Sequence, residues 1–176
     1  NTACATGGYA IMTSAMLLRA GEADAVLAVG GENALCPVVV SGLTQAGALS
    51  KQSEDPALAC RPFDINRDGF VMGEGGGAVI IETEKHALAR GANIYADLAV
   101  YANTSDAHHV TAPMPDGAGA ARCMKLALKR AGMNPSEIDY INAHGTSTPL
   151  GDKAETTAVK TVFGGKEGAP PMSSTK

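Results

Sequence analysis

Two short strings in this chain carry residue types suited to covalent chemistry. Cys4 stands in N-T-A-C-A-T-G, where a turn leads into an apolar segment. A thiol attacks as the thiolate, and the unsatisfied peptide N–H groups of a helix's first turn favour that anion. Small neighbours on both sides leave room for a substrate, although a second polar partner is needed to complete the activation. His144 opens H-G-T-S-T-P, a loop of glycine and hydroxyls that follows a short apolar run. It brings company: Thr146 and Thr148 offer hydroxyls two residues apart, and Glu155 lies early in the next helix. A thiol and an imidazole are the parts of nucleophilic catalysis.

The commoner reading of such residues is packing, because free cysteine is among the most buried residue types. That reading is taken for Cys36, Cys60 and Cys123. His86 falls in a charged helix and is expected to be solvated, while His108 and His109 lie in a polar loop over 105–111. The histidines lack H-E-x-x-H spacing and the cysteines lack a C-x-x-C pair, so neither a metal site nor a disulfide framework is expected. A reducing compartment suits four unpaired cysteines.

The elements that must position Cys4 and His144 alternate between β and α. The first runs from the turn at Thr2 to Ala20, apolar nearly all round and stopped by Gly21, which predicts a helix buried inside a larger protein. Residues 25–29 (AVLAV) read as a buried parallel strand, and 77–82 as another. Thr83 caps a short helix closed by Gly91, and 96–101 resumes strand character. Over 117–131, Ala120, Met124, Ala127, Leu128 and Ala131 recur at helical spacing opposite Arg122, Lys125, Lys129 and Arg130, which predicts an amphipathic surface helix ended by Gly132. A turn at 134–136, a strand at 140–143, a loop at 144–151 and a helix at 152–163 complete the order.

Composition narrows the class. The chain has 176 residues, 45% hydrophobic and 18% charged, with no apolar run near the roughly 20 residues of a membrane span. A net charge of −4 without a Lys/Arg cluster argues against nucleic acid. The 21 glycines and 31 alanines, with no Trp, favour close approach of elements around a narrow site. Asp64-Ile65-Asn66-Arg67-Asp68-Gly69 opens like a calcium loop, but its twelfth position is Gly75 where a bidentate glutamate is required, so it reads as a polar loop. The string G-E-G-G-G-A from Gly73 precedes a strand instead of opening a helix, which excludes a dinucleotide fingerprint. The chain begins without Met and stops after Ser173-Ser174-Thr175-Lys176 with no closing element, so it reads as an internal fragment.

The strings T-A-C-A-T-G, R-P-F-D-x-x-R-D-G-F-V-M-G-E-G, S-D-A-H-H-V-T-A-P, N-A-H-G-T-S-T-P-L-G-D-K and S-S-T-K stand in one order along the chain. In that order the chain resembles the elongating β-ketoacyl-acyl-carrier-protein synthases of type II fatty acid synthesis, over its whole length. The resemblance implies an α/β, thiolase-like fold, an α-β-α-β-α sandwich that is incomplete here. Residues 1–92 would be the C-terminal part of its first half and 93–176 the N-terminal part of the second, with Cys4 and His144 meeting at the pseudo-twofold. Cys4 matches the nucleophile that takes an acyl chain from acyl carrier protein. His144 matches one of two histidines that stabilise a malonyl enolate, and Lys176 the active-site lysine, held by Glu155. Thr146, Thr148, Thr111, Asp106 and His109 match positions lining the phosphopantetheine channel. No cofactor or metal is implied; the partners are acyl carrier protein and, in the parent, a second copy in a homodimer. The place is a bacterial cytoplasm or an organelle stroma or matrix. The second histidine and the Gly-Phe-Gly-Gly gate loop lie beyond Lys176 in the family, so the 176 residues alone are expected to be inactive. Gly47 departs from an arginine common in relatives near the channel mouth.

Three alternatives stand beside this reading. A polyketide ketosynthase shares the chemistry but more often shows D-T-A-C-S-S-S. A non-catalytic chain-length partner replaces the cysteine that is present here as Cys4. An unrelated Cys-His hydrolase would send water to the acyl thioester.

Overall fold

The structure, a computed structural model, describes residues 2–176. In chain order it holds α1 (Thr6–Ala20), β1 (Ala25–Glu32), α2 (Pro37–Gln45), β2 (Gly75–Glu82), α3 (Glu84–Ala89), α4 (Ala118–Ala131), β3 (Ile141–Ala143), α5 (Pro149–Phe163) and β4 (Met172–Ser174). Short 3-10 turns cover Ala3–Ala5, Pro56–Leu58 and Pro135–Glu137. The elements fall into two compact units: the chain up to Cys36 with Gly73–Leu98, and Pro37–Met72 with Ala99–Lys176.

In the first unit α1 ends where expected, on Gly21 in the left-handed region at φ 75, its N–H on the Leu17 and Leu18 carbonyls. β1 and β2 pair along their full lengths, Ala25 opposite Glu82 through Glu32 opposite Gly75. The pairing is antiparallel, which corrects the expectation of a parallel strand. Within these residues Ala28 is buried and Leu27 is 62% exposed. One face of the ribbon packs on α1, so close that a Cβ on Gly30 would lie 3.6 Å from the Gly7 Cα. Within these residues α1 packs one face on the ribbon. It buries Ser14 and Ala15 and leaves Met16 and Leu17 exposed.

Thr83 caps α3 by accepting the His86 N–H at 3.3 Å. His86 is not simply solvated, since its Nδ1 lies 2.5 Å from Glu82 Oε2, and Arg90 bonds the same carboxylate. The bonds from Arg90 and then His86 hold Glu82 down at about 2, and Glu82 in turn raises Arg90. Residues 96–101 form no strand, because a strand is defined by ladder bonds and none of the described strands pairs with this segment.

In the second unit β3 and β4 run parallel, Ile141 beside Met172 and Ala143 beside Ser174. No strand was expected over 172–174, and β4 lies there. α5 begins at Pro149, three residues before the expected start, with Thr148 as N-cap accepting the Gly151 N–H and Pro149 in the first turn. α4 matches expectation closely, capped at Gly132 with φ 68. Its buried positions are Gly119 and Ala121 while Ala120 faces solvent. The calcium-like segment is irregular chain, and Asp68 there accepts the Ser50 hydroxyl at 2.6 Å and the Lys51 N–H at 2.9 Å. These bonds lower its carboxyl pKa, the serine first. The core of this unit lies along α5: Ala154, Ala158, Val159 and Phe163 are buried, with Ala143 from β3.

Candidate active site

Cys4 lies in the 3-10 turn that runs into α1, and it is exposed. Ala3 before it has φ 49, a left-handed conformation that costs energy outside glycine and is held only where the surroundings impose it. The turn is tied to the helix by Thr2, whose N–H donates to Thr6 Oγ1 at 2.9 Å. No side chain caps the first turn of α1, and nothing approaches within 4 Å of where a Cβ on Gly7 or Gly8 would stand. The surface beside Cys4 is therefore lined by glycine backbone.

His144 follows β3 directly. Its peptide N–H donates to Glu155 Oε1 at 2.8 Å, and the next N–H, of Gly145, donates to Glu155 Oε2 at 2.8 Å. Glu155 reaches both because it sits two turns into α5, whose start is set by Thr148 and Pro149. Gly145 has φ 40, and a Cβ there would stand 2.5 Å from Ser174 Cβ and 3.0 Å from Phe63 Cε2. Only glycine fits. The imidazole pKa is lowered below 6.5, first by desolvation of the ring and then by the positive charge of Lys176, against the pull of Glu155 and Asp152. Both effects favour the neutral ring, which carries a single N–H.

The loop after His144 is pinned from below. Ser147, fully buried at φ 65, accepts the Arg61 N–H on its hydroxyl at 3.0 Å and the Gly69 N–H on its carbonyl at 2.8 Å. Asp152, 1% exposed, accepts the Phe63 N–H at 2.7 Å on Oδ2. The same oxygen lies 3.5 Å from Arg67 Nε. Arg67 spreads over the loop, donating to the carbonyls of Thr148, Pro149 and Asp64. Sequence reading passed over Arg67, Ser147 and Asp152; the R-P-F-D-x-x-R-D-G and T-S-T-P-L-G-D strings held them, but contacts between residues some 80 positions apart leave no local signal.

The remaining candidates are placed as follows. Thr146 is buried and Thr148 half-buried, their hydroxyls 2.9 Å apart. His109 and Thr111 are exposed, and His109 Nδ1 accepts the N–H groups of Thr111 and Ala112 at 3.1 and 3.0 Å. Asp106 accepts the Met114 N–H at 3.0 Å and presses on α4 at Gly119. Lys176 places its ammonium 5.7 Å from the centre of the Phe70 ring, and no ion pair joins it to Glu155 among the described residues. The Cys60 thiol lies 3.6 Å from the Lys176 carbonyl. Among the described residues no group of three or more His, Cys, Asp or Glu is arranged to hold a metal.

The glycine-lined cysteine turn and the clamped histidine loop each fall inside a recognised sequence family. Residues 1–87 match the family model described as β-ketoacyl synthase, N-terminal domain, and residues 95–176 that described as β-ketoacyl synthase, C-terminal domain. The chain belongs to the β-ketoacyl synthase family.

This β-ketoacyl synthase chain is 50% identical, over 99% of its length, to 3-oxoacyl-[acyl-carrier-protein] synthase 2 of Rhizobium meliloti, of which it covers 42%. It is 48% identical to the mitochondrial 3-oxoacyl-[acyl-carrier-protein] synthase of Arabidopsis thaliana, with 92% of this chain and 35% of that one covered. Among solved structures, a β-ketoacyl synthase from Burkholderia phymatum is similar at TM-score 0.91 and 39% identity, covering 98% of this chain and 41% of the other. A type II polyketide ketosynthase in complex with its acyl carrier protein is similar at TM-score 0.94 and 42% identity, covering 98% and 43%. The fold is accordingly the α/β, thiolase-like fold of ketosynthases. The chain spans about two fifths of the length of the curated relatives it matches. No helix among its described residues is long and apolar enough to cross a membrane.

Proposed function

We propose that this chain is part of a 3-oxoacyl-[acyl-carrier-protein] synthase that elongates fatty acyl chains by decarboxylative Claisen condensation. The observation that carries the reading is the identity of 50% to such a synthase along 99% of the chain, Cys4 and His144 included in the matched length. In the proposed cycle the Cys4 thiolate attacks the carbonyl carbon of an acyl carrier protein thioester. A new C–S bond forms, the carrier's thiolate leaves and takes up the proton that Cys4 gave up. Malonyl carrier protein then enters. Its C–C bond to the carboxylate breaks, carbon dioxide departs, and the electron pair remains as an enolate that attacks the Cys4 thioester and expels the Cys4 thiolate. A neutral His144 suits the second stage, since its N–H can meet the developing enolate oxygen without adding a net charge.

Lys176 and Glu155 complete the proposed set, and Thr146, Thr148, Thr111, Asp106 and His109 would line the channel for the phosphopantetheine arm. The halves would divide as 1–92 and 93–176. The partners would be acyl carrier protein and a second copy of the whole protein, in a bacterial cytoplasm or an organelle stroma or matrix. The 176 residues alone would not condense.

A polyketide ketosynthase is the second reading, supported by the type II polyketide neighbour at 42% identity. Retention of Cys4 weighs against a non-catalytic chain-length partner. The test is to express the whole parent protein, supply fatty acyl carrier protein thioester, and map the adduct by mass spectrometry. Adduct on Cys4, followed by a 3-oxoacyl product once malonyl carrier protein is added, is the expected result. Adduct on Cys60 or Cys123, or free fatty acid in place of a condensation product, refutes it.

A further inference from the structure

The His144–Gly145 segment has four peptide polar groups, and two side chains hold them all. Glu155 takes the two N–H groups. The Ser174 hydroxyl stands 3.1 Å from the His144 carbonyl oxygen and 2.9 Å from that of Gly145, sharing its single proton between them. Its oxygen accepts the Lys176 N–H at 3.1 Å. Ser174 is the last residue of β4 and pairs with Ala143 of β3, the residue before His144, so the ladder sets where the hydroxyl sits. The two segments lie in close contact here, because a Cβ on Gly145 would stand 2.9 Å from Ser174 Oγ.

From this geometry we infer that Ser174 is a positioning residue for His144, fixing the peptides on which the imidazole is mounted and tying them to the segment that carries Lys176. The inference rests on the condensing reaction proposed above. It separates the two half-reactions: acyl transfer needs Cys4, whereas decarboxylation needs His144 correctly placed. A small misplacement of a group in a reacting site is worth up to about 100-fold in rate.

The experiment uses the whole parent protein as wild type, Ser174→Ala and Ser174→Thr. Two rates are read on each: acyl adduct formation on Cys4 from acyl carrier protein thioester, and carbon dioxide release from malonyl carrier protein thioester. Ser174→Ala is expected to keep adduct formation within about twofold and to lose about 10- to 100-fold in carbon dioxide release. Ser174→Thr, which keeps the hydroxyl, is expected to recover most of that loss. Retained adduct formation shows that the alanine variant is folded. Unchanged carbon dioxide release, an equal fall in both rates, or a threonine variant no faster than alanine overturns the inference. A wild-type protein that forms no adduct and releases no carbon dioxide refutes the proposed function itself.

Discussion

Glu155 holds the peptide N–H of His144 at 2.8 Å, with the adjoining N–H of Gly145 at the same distance on its other oxygen. The resemblance to condensing enzymes implied that this carboxylate holds Lys176. In the structure its two oxygens take the backbone N–H groups under the histidine, and the lysine ammonium lies over Phe70. Hydrogen bonds to an ionised acceptor contribute about 1.5–3 kcal/mol each. Glu155→Gln keeps one carbonyl oxygen and turns an amide NH₂ toward the second donor. It should lower the unfolding free energy of the parent by about 1.5–3 kcal/mol in urea denaturation. An unchanged midpoint would show that the two bonds contribute nothing.

Gly145→Ala should be worse tolerated. Its Cβ would meet Ser174 Cβ at 2.5 Å in a backbone at φ 40, combining overpacking with strain. The expected loss is about 2–4 kcal/mol by thermal unfolding, with release of carbon dioxide from malonyl thioester falling more than adduct formation on Cys4.

His144 should titrate below 6.5, read from the imidazole C–H resonance by NMR. Since Lys176 is one of the causes, Lys176→Met should move the midpoint upward. The folded pKa lies below the unfolded one, so between the two the unfolded chain binds more protons. Stability is therefore fully present above about 6.5 and falls as pH drops toward the folded value. The stability of wild type relative to His144→Gln should accordingly decline over that window. A midpoint above 6.5 would reverse the sign and contradict this.

Asp152→Ala should be strongly destabilising. It removes a buried acceptor from the Phe63 N–H and strips the carboxylate from the mostly buried Arg67 side chain, 18% exposed. Breaking a buried pair from one side costs about 3–5 kcal/mol. Asp152→Asn keeps an acceptor for Phe63 and should cost less. Denaturant melts of the two variants beside wild type decide the order.

Cys4→Ala should abolish acyl adduct while leaving the melting midpoint within about 1 °C, because the side chain is exposed and supports no packing. Adduct persisting on another cysteine would remove Cys4 from the reaction.

What was legible in the sequence was whatever local chemistry decides. Gly21 and Gly132 stop α1 and α4 because a left-handed residue without Cβ ends a helix wherever it stands. The Thr83 cap of α3 and the three-and-four repeat of α4 depend on neighbours within one or two turns. Cys4 at a turn into a helix and His144 after a strand were legible for the same reason. The early start of α5 was written in Thr148-Pro149, a cap followed by a first-turn proline, and was passed over.

Tertiary structure decided everything that depends on what lies across the gap. The antiparallel direction of β1 and β2 follows from which strand lies beside which, and a hydrophobic pattern records burial without naming the partner. So it is at the site. Sequence placed His144, Glu155 and Ser174 in order along the chain. Only folding β4 beside β3 and α5 over the loop brings a carboxylate to the two N–H groups and a hydroxyl to the two carbonyls. Hydrogen bonds act over about 3 Å, a range that sequence separation does not measure.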